Sequence, residues 1–265
     1  MSKRKLEALF QTLIKEDKKA FTAYIMGGDG GIDRLEKDLL FLQESGADLI
    51  EVGVPFSDPV ADGPVIQEAG LRALKNGVSL EMILNKLTEI KEKITVPIIL
   101  MTYINPVLQY GLEQFADASR QGGIAGCIFP DLPYEEEALV KEHLAAADIA
   151  IIRLAALTSG AERLKTLTSD SEGFIYAVTV NGVTGERAEL NAAEIKNKID
   201  KIKSFTNTPV LAGFGISSAD AAQSLLPSCE GVIVGSKIVQ AFHEGRKEEI
   251  REFISSIKGL SLISG

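Results

Sequence analysis

Residues 49–63 read Leu-Ile-Glu-Val-Gly-Val-Pro-Phe-Ser-Asp-Pro-Val-Ala-Asp-Gly, LIEVGVPFSDPVADG, and place a carboxylate in the middle of an apolar run. Successive side chains of a strand point to opposite faces. Leu49, Glu51 and Gly53 therefore share one face, and Ile50, Val52 and Val54 the other. Branched apolar residues suit the face that a parallel strand turns to covering helices. Glu51 then faces whatever the other side of the sheet encloses. A buried carboxylate without partners is costly, so Glu51 is either satisfied there or functional. Mid-strand, no turn or cap role is open to it. Asp62 stands at the far side of the loop that follows, where a turn or helix-cap role is the ordinary reading of Ala-Asp-Gly. A loop folding over the sheet would instead bring it opposite Glu51. Asp58, in Ser-Asp-Pro, reads as a loop-shaping residue.

Around this stretch, short β-rich runs alternate with longer amphipathic ones. Strands are expected at Phe21–Met26, Leu49–Val54, Pro97–Thr102, Gly126–Phe129, Ile149–Leu154, Phe174–Val180, Val210–Phe214 and Gly231–Val234. Helical spacing of apolar residues marks Ile32–Glu44, Ser79–Lys93, Leu112–Arg120, Glu135–Ala146, Glu162–Thr168, Ala192–Lys203, Ala219–Leu226 and Glu248–Lys258. Strict alternation implies a parallel sheet. Eight such units in 265 residues match a (β/α)8 TIM barrel, an α/β fold of typically ~250 residues. An open doubly wound sheet is the alternative, and its Gly-rich phosphate turn belongs after the first strand. Met26-Gly27-Gly28-Asp29-Gly30-Gly31 occupies that position without the GxGxxG spacing. The chemically interesting residues instead follow several strands, which favours the barrel. No linker divides the chain, so a single barrel domain over residues 1–265 is expected. An extra N-terminal helix, Lys3–Lys15, would close its bottom. Glu135, Glu136 and Glu137 fit a first helical turn. Arg153 is the one basic residue inside an expected strand, and the sequence assigns it no role.

The chain is acidic, with 37 Asp and Glu against 28 Lys and Arg and a net charge of −9. That makes nucleic acid and anionic membrane poor partners. The basic start, Met1-Ser2-Lys3-Arg4-Lys5, runs on into an amphipathic helix, and no apolar run is long enough to span a bilayer. Cys127 and Cys229 are far apart and form neither a metal-like spacing nor a disulfide framework. A reducing cytoplasm is the expected location. His143 and His243 sit in charged helical stretches and read as surface imidazoles. Most Ser-His-Asp, Cys-His and multi-histidine metal chemistries are thereby set aside. No lysine lies inside an expected strand, which argues against a Schiff-base aldolase. Acid–base work is left to carboxylates.

Three glycine-containing stretches follow the last three strands: Asn181-Gly182-Val183-Thr184-Gly185, Gly213-Phe214-Gly215-Ile216-Ser217 and Val234-Gly235-Ser236-Lys237. Each alone is an ordinary turn. Together, the last two suit the phosphate site that barrels build after strands seven and eight. Backbone amides at Gly213, Gly215 and Gly235 would approach the anion closely. Ser236 would open a short helix to Phe242 whose N-terminus attracts it, whereas Lys237 reads as solvated. The loop 181–189 is placed to act as a lid.

These motifs resemble those of the tryptophan synthase α subunit family, along essentially the whole chain. The resemblance implies retro-aldol cleavage of indole-3-glycerol phosphate to indole and glyceraldehyde 3-phosphate. It implies Glu51 and Asp62 as catalytic residues, Tyr176 as an active-site tyrosine and Thr184 as a lid residue near the aspartate. Gly185, Gly213, Gly235 and Ser236 match positions around the phosphate. Gly28-Asp29-Gly30 stands where the family usually reads Gly-Asp-Pro, and Tyr24 where phenylalanine is common. In this chemistry Glu51 would protonate the ring carbon and then take the hydroxyl proton, while Asp62 accepts from the indole N–H. Burial would raise the Glu51 pKa, and a polar loop would keep Asp62 ionised. Apolar walls for the ring are expected from Tyr24, Leu100, Phe129, Tyr176, Phe214 and Ile233, for each of which core packing is the competing role.

The implied partner is the tryptophan synthase β subunit, which carries the pyridoxal phosphate, in an αββα assembly. This chain would need no cofactor of its own and no metal. Pro55, Phe56, Ser57, Asp58 and Pro59 are expected to face the partner, with Asn105 and the 130–133 loop, including Asp131. Three other readings stay open: a different sugar-phosphate barrel enzyme, a stand-alone indole-releasing lyase, and a non-catalytic cap that activates its partner.

Overall fold

The computed structural model describes residues 2–178, 192–213, 216 and 218–260. Its strands are β1 (Ala20–Met26), β2 (Leu49–Gly53), β3 (Ile98–Met101), β4 (Ile124–Ile128), β5 (Ala150–Ile151), β6 (Arg153–Ala156), β7 (Ile175–Val178), β8 (Val210–Gly213) and β9 (Gly231–Val234). All pair in parallel, in the order β5-β4-β3-β2-β1-β9-β8-β7-β6. The two ends of that order, β5 and β6, are separated in the chain only by Ile152, whose N–H still donates to Cys127 at 2.9 Å. They are one barrel strand that pairs with β4 in its first half and with β7 in its second. The sheet is thus a TIM barrel closed through the expected fifth strand.

Register tells the inside from the outside. Tyr24, Glu51, Ile99 and Gly126 form one cross-strand row, and Ile25, Val52, Leu100 and Cys127 the next. A Cβ on Gly126 would meet Ile99 and Ile152 at 3.1–3.2 Å, which puts the first row in the barrel interior. On the other parity, Phe21 packs edge-on against Phe253 of the C-terminal helix, with ring centroids 6.2 Å apart.

The first helix, α1 (Ser2–Lys15), has Leu6, Phe10 and Leu13 along one face, all buried. Phe10 meets Phe174 at 5.9 Å and Leu6 lies beneath Gly173, so α1 closes the barrel floor as expected. Burying each such side chain stabilises by roughly 1.5–3 kcal/mol. The outer layer comprises α2 (Ile32–Glu44), α3 (Pro64–Lys75), α4 (Leu80–Ile90), α5 (Ile104–Tyr110), α6 (Leu112–Gln121), α7 (Ala138–Ala146), α8 (Ala161–Thr168), α9 (Ala192–Lys203), α10 (Ala219–Leu225), α11 (Ser236–His243) and α12 (Lys247–Leu260). Among the described residues, no helix is long and apolar enough to cross a membrane.

Two of these helices, α3 and α5, were not expected from the periodicity. The acidic run 135–137 also differs from its expected role. Tyr134–Glu136 form a 3-10 turn and α7 starts later, at Ala138. Glu137 is buried instead, and both its oxygens accept from Arg153, at 2.7 and 2.8 Å. Arg153 also donates to Leu167 and Ser169 carbonyls and lies over the Tyr134 ring. Its role is structural: on the outer face of the split strand, it ties the end of α8 to the turn before α7. Beside it, a cleft of about 330 Å³ is lined by Phe129, Asp131, Tyr134 and Leu154.

Candidate active site

The Glu51 side chain enters the barrel from the middle of β2 and is 1 % exposed. Neither of its oxygens has a hydrogen-bond partner among the described residues. Burial, with the Asp62 charge adding to it, pushes its pKa up to about 8. At neutral pH Glu51 is a carboxylic acid with a proton to give.

Asp62 is also buried, and it is not a helix cap. Gly63 holds the cap position of α3, Pro64 opens the helix, and no side chain caps it. Proline there is favoured, because its missing N–H would have had no helical partner. The Asp62 backbone is fixed at both ends, its N–H donating to Pro59 at 3.1 Å and its carbonyl accepting from Gln67 at 2.9 Å. The carboxylate accepts a hydrogen bond from the Tyr103 hydroxyl. That hydroxyl in turn accepts the Ala61 N–H at 2.9 Å. Burial raises Asp62 to about 6, while the Tyr103 bond pulls downward. Asp62 was expected to stay ionised in a polar loop; it is buried instead, yet with a value of about 6 the ionised form still dominates at pH 7.

The loop carrying Asp62 is held from two sides. Phe56 stacks on Tyr103, centroids 5.0 Å apart and planes at 28°. Behind it, Arg72 of α3 makes a bidentate pair with Asp29 at 2.7 and 2.8 Å. Asp29 is presented by Gly28 and Gly30, whose φ angles of 78° and 90° are left-handed and suit glycine. This explains how Gly28-Asp29-Gly30 serves here as a turn.

Tyr24 and Tyr176 lean across the interior in the same way. A Cβ on Gly53 would stand 2.1 Å from the Tyr24 hydroxyl oxygen, and one on Gly213 within 2.5–2.6 Å of the Tyr176 ring and hydroxyl. Each glycine makes room for the tyrosine of the preceding strand in the barrel. Ile233 joins them on the inner face, paired in register with Thr22.

Leu100 and Phe129 do not line this interior. Leu100 lies in the Val52–Cys127 row on the outer face. Phe129 packs on Phe115 of α6, centroids 6.4 Å apart. Their neighbours Met101 and Ile128, in register with Gly53 and with each other, face inward instead. Strand parity in β3 and β4 carries no polar marker in the sequence, and a register shift at Ile98/Ile99 interrupts the ladder. Tyr103 was missed too; the available signal was a polar aromatic just past the C-terminal end of a barrel strand.

At the C-terminal ends of β8 and β9, Gly213 ends β8 and Gly235 caps α11 without a side-chain cap, leaving first-turn amides open beside exposed Ser236. Such a terminus favours an anion. Lys237 points elsewhere, its ammonium 4.9 Å from the Phe253 ring centroid. Thr184, Gly185, Phe214 and Gly215, and the lid 181–189, lie outside the described residues.

Of the residues expected to face a partner, Ser57, Asp58, Asn105 and Asp131 are exposed, Phe56 and Pro59 half-buried, and Pro55 buried. Asp131 accepts the Ile104 N–H at 3.0 Å, so the 130–133 loop and the start of α5 form one surface. Val60, in the loop before α3, and Leu108, in α5, expose apolar side chains at 68 % and 44 %.

This geometry coincides with a family match. The family model described as Tryptophan synthase alpha chain matches residues 10–260. The chain belongs to that family. A tryptophan synthase alpha chain of Listeria monocytogenes (serotype 4b, strain F2365) is 51% identical over 248 residues, 94% of this chain and 95% of its own. One from Oceanobacillus iheyensis is 49% identical over 263 residues, 99% of this chain and 100% of its own. Among solved structures, a chain of Mycobacterium tuberculosis tryptophan synthase superposes with a TM-score of 0.88 at 32% identity, covering 97% of both chains. The fold is shared with that chain over 97% of each.

Proposed function

We infer that this chain is the α subunit of a tryptophan synthase, a carbon–carbon lyase acting in tryptophan biosynthesis. It cleaves indole-3-glycerol phosphate to indole and glyceraldehyde 3-phosphate. The observation that carries the mechanism is the pair of buried carboxyls with opposed protonation states, Glu51 near 8 and Asp62 near 6.

Bound across the barrel mouth, the substrate would set its phosphate on the amides around Gly213, Gly235 and Ser236, with Gly185 and Gly215 assigned to the same corner. Tyr24, Tyr176, Ile233 and Phe214 would enclose the rest, with Thr184 closing over it. Glu51 protonates the indole ring carbon that bears the side chain. The ring nitrogen becomes positive, and Asp62, accepting its N–H, stabilises that charge. Glu51, now a carboxylate, removes the proton from the adjacent side-chain hydroxyl. The oxygen forms a carbonyl, the carbon–carbon bond breaks, and its electron pair returns to the ring to give neutral indole. Glu51 ends as it began, protonated. General acid–base help contributes roughly 10²–10⁴-fold per group, and fixing the phosphate supplies orientation.

We assign residues 1–265 to one barrel domain of a cytoplasmic enzyme. The natural partner is the β subunit, which holds the pyridoxal phosphate and consumes the indole, in an αββα assembly. The exposed surface around Phe56, Val60, Asn105, Leu108 and Asp131 supports a contact that also steadies Asp62. The test is indole release by the purified chain, with Glu51→Gln and Asp62→Asn beside it. Both variants are expected to lose at least ~100-fold, and unchanged rates would overturn the assignment of either carboxyl.

A further inference from the structure

Three phenols surround the two carboxyls, and they differ in what already occupies them. Tyr103 is committed to the Ala61 amide and the Asp62 carboxylate. Tyr176 has an interaction of its own. Tyr24 is 6 % exposed, yet its hydroxyl makes no hydrogen bond among the described residues. That hydroxyl and the two partnerless oxygens of Glu51 are thus free to meet a polar group of a bound molecule.

The placement of Tyr24 says which group that is. Its Cβ and ring edge lie against Gly235, 3.4–3.6 Å from where a Cβ would stand, at the phosphate corner. Its hydroxyl reaches the opposite way to Gly53, two residues beyond Glu51 on β2. Tyr24 and Glu51 are register partners on neighbouring strands. The ring therefore spans from the anion site to the carboxyls, parallel to the path the substrate must take. Its hydroxyl stands at the reacting end.

We propose that Tyr24 is a further catalytic residue, its phenolic hydroxyl donating a hydrogen bond to the oxygen on the side-chain carbon next to the indole ring. This rests on the function proposed above. That oxygen is the one from which Glu51 removes the proton, and it gains negative charge as the proton leaves. A fixed donor aimed at it stabilises the developing charge more than the neutral hydroxyl. Tyr24 keeps its own proton throughout: the hydroxyl proton goes to Glu51 and the bonding electrons go to the ring. Burial together with the Asp62 and Glu51 charges raises the Tyr24 pKa far above its usual value, so the phenol keeps its proton and can donate it in a hydrogen bond. Gly53 follows from the same arrangement, since any side chain there would displace the hydroxyl.

The experiment compares the full wild-type chain with Tyr24→Phe, which keeps the ring and removes only the oxygen. Steady-state indole release from indole-3-glycerol phosphate is measured beside the dissociation constant of an indole bearing an unhydroxylated propyl phosphate tail. The proposal expects kcat to fall about 10- to 100-fold while affinity for the hydroxyl-free analogue stays within about twofold. Full kcat in Tyr24→Phe would overturn it. So would a rise in KM alone, or a matching loss of analogue affinity, either of which reduces Tyr24 to packing. If the wild-type chain itself releases no indole, the parent assignment fails with it, and the wild-type control alone reveals that.

Discussion

Glu51 and Asp62 are chemically similar groups required in opposite states at one pH, and their surroundings separate them. The product of a protonated Glu51 and an ionised Asp62 is greatest between about 6 and about 8. A bell-shaped pH profile of kcat/KM with limbs near those values is the expected result, whereas a flat profile over that range would contradict it. Tyr103 lowers the Asp62 pKa, so Tyr103→Phe should move the acidic limb to higher pH and leave the basic limb in place. Glu51 also makes a stability prediction. Its folded pKa lies above the ordinary value of 4.5, so between the two the native state binds more protons than the unfolded one. Stability is then lost as pH rises from 4.5 toward 8. Glu51→Gln, which cannot ionise, should gain about 2 kcal/mol or more over wild type between pH 5 and pH 8.5, read by urea unfolding. At this scale Glu51 was legible because a mid-strand carboxylate has no ordinary role. Leu100 and Phe129 were misplaced because an all-apolar strand gives no sign of which parity faces in.

Elements were read best where amphipathic spacing was long and clean, as in α1, α2 and α12. The helix α3 was missed although Gly63-Pro64 is a start signal and a helix-cap role was open to Asp62. The seven-residue α5 is too short for periodicity to decide. The split between β5 and β6 has no local signature, since it reflects a change of pairing partner rather than a break in the chain. Arg153 and Glu137 bridge that split from outside, both nearly buried. Glu137→Ala would leave an unpaired guanidinium and should cost about 3–5 kcal/mol, measured by chemical denaturation. Replacing both by apolar residues of similar size should recover most of that loss, because the desolvation cost disappears with the pair. An unchanged stability in Glu137→Ala would show that water reaches Arg153.

For the whole molecule, the barrel separates duties between its ends. The floor is closed by α1 and is a matter of packing. The other end gathers the carboxyls, the open amides of α11 and an exposed surface built from the 55–60, 104–110 and 130–133 segments. The alternation of strands and helices left a barrel or an open doubly wound sheet, and the chemical residues following several strands then decided for the barrel. The mutual placement of the surface loops was not legible, since it depends on contacts such as Asp131 to Ile104 that link distant positions. A partner seated there would press on Phe56 and, through Tyr103, on the Asp62 loop.

The most direct measurement is indole release from indole-3-glycerol phosphate by the wild-type chain, alone and with a tryptophan synthase β subunit. Slow release that rises at least about tenfold with the partner, and disappears in Glu51→Gln and Asp62→Asn, is the predicted result. A folded chain that releases no indole under either condition would contradict the assignment of Glu51 and Asp62 as its chemistry.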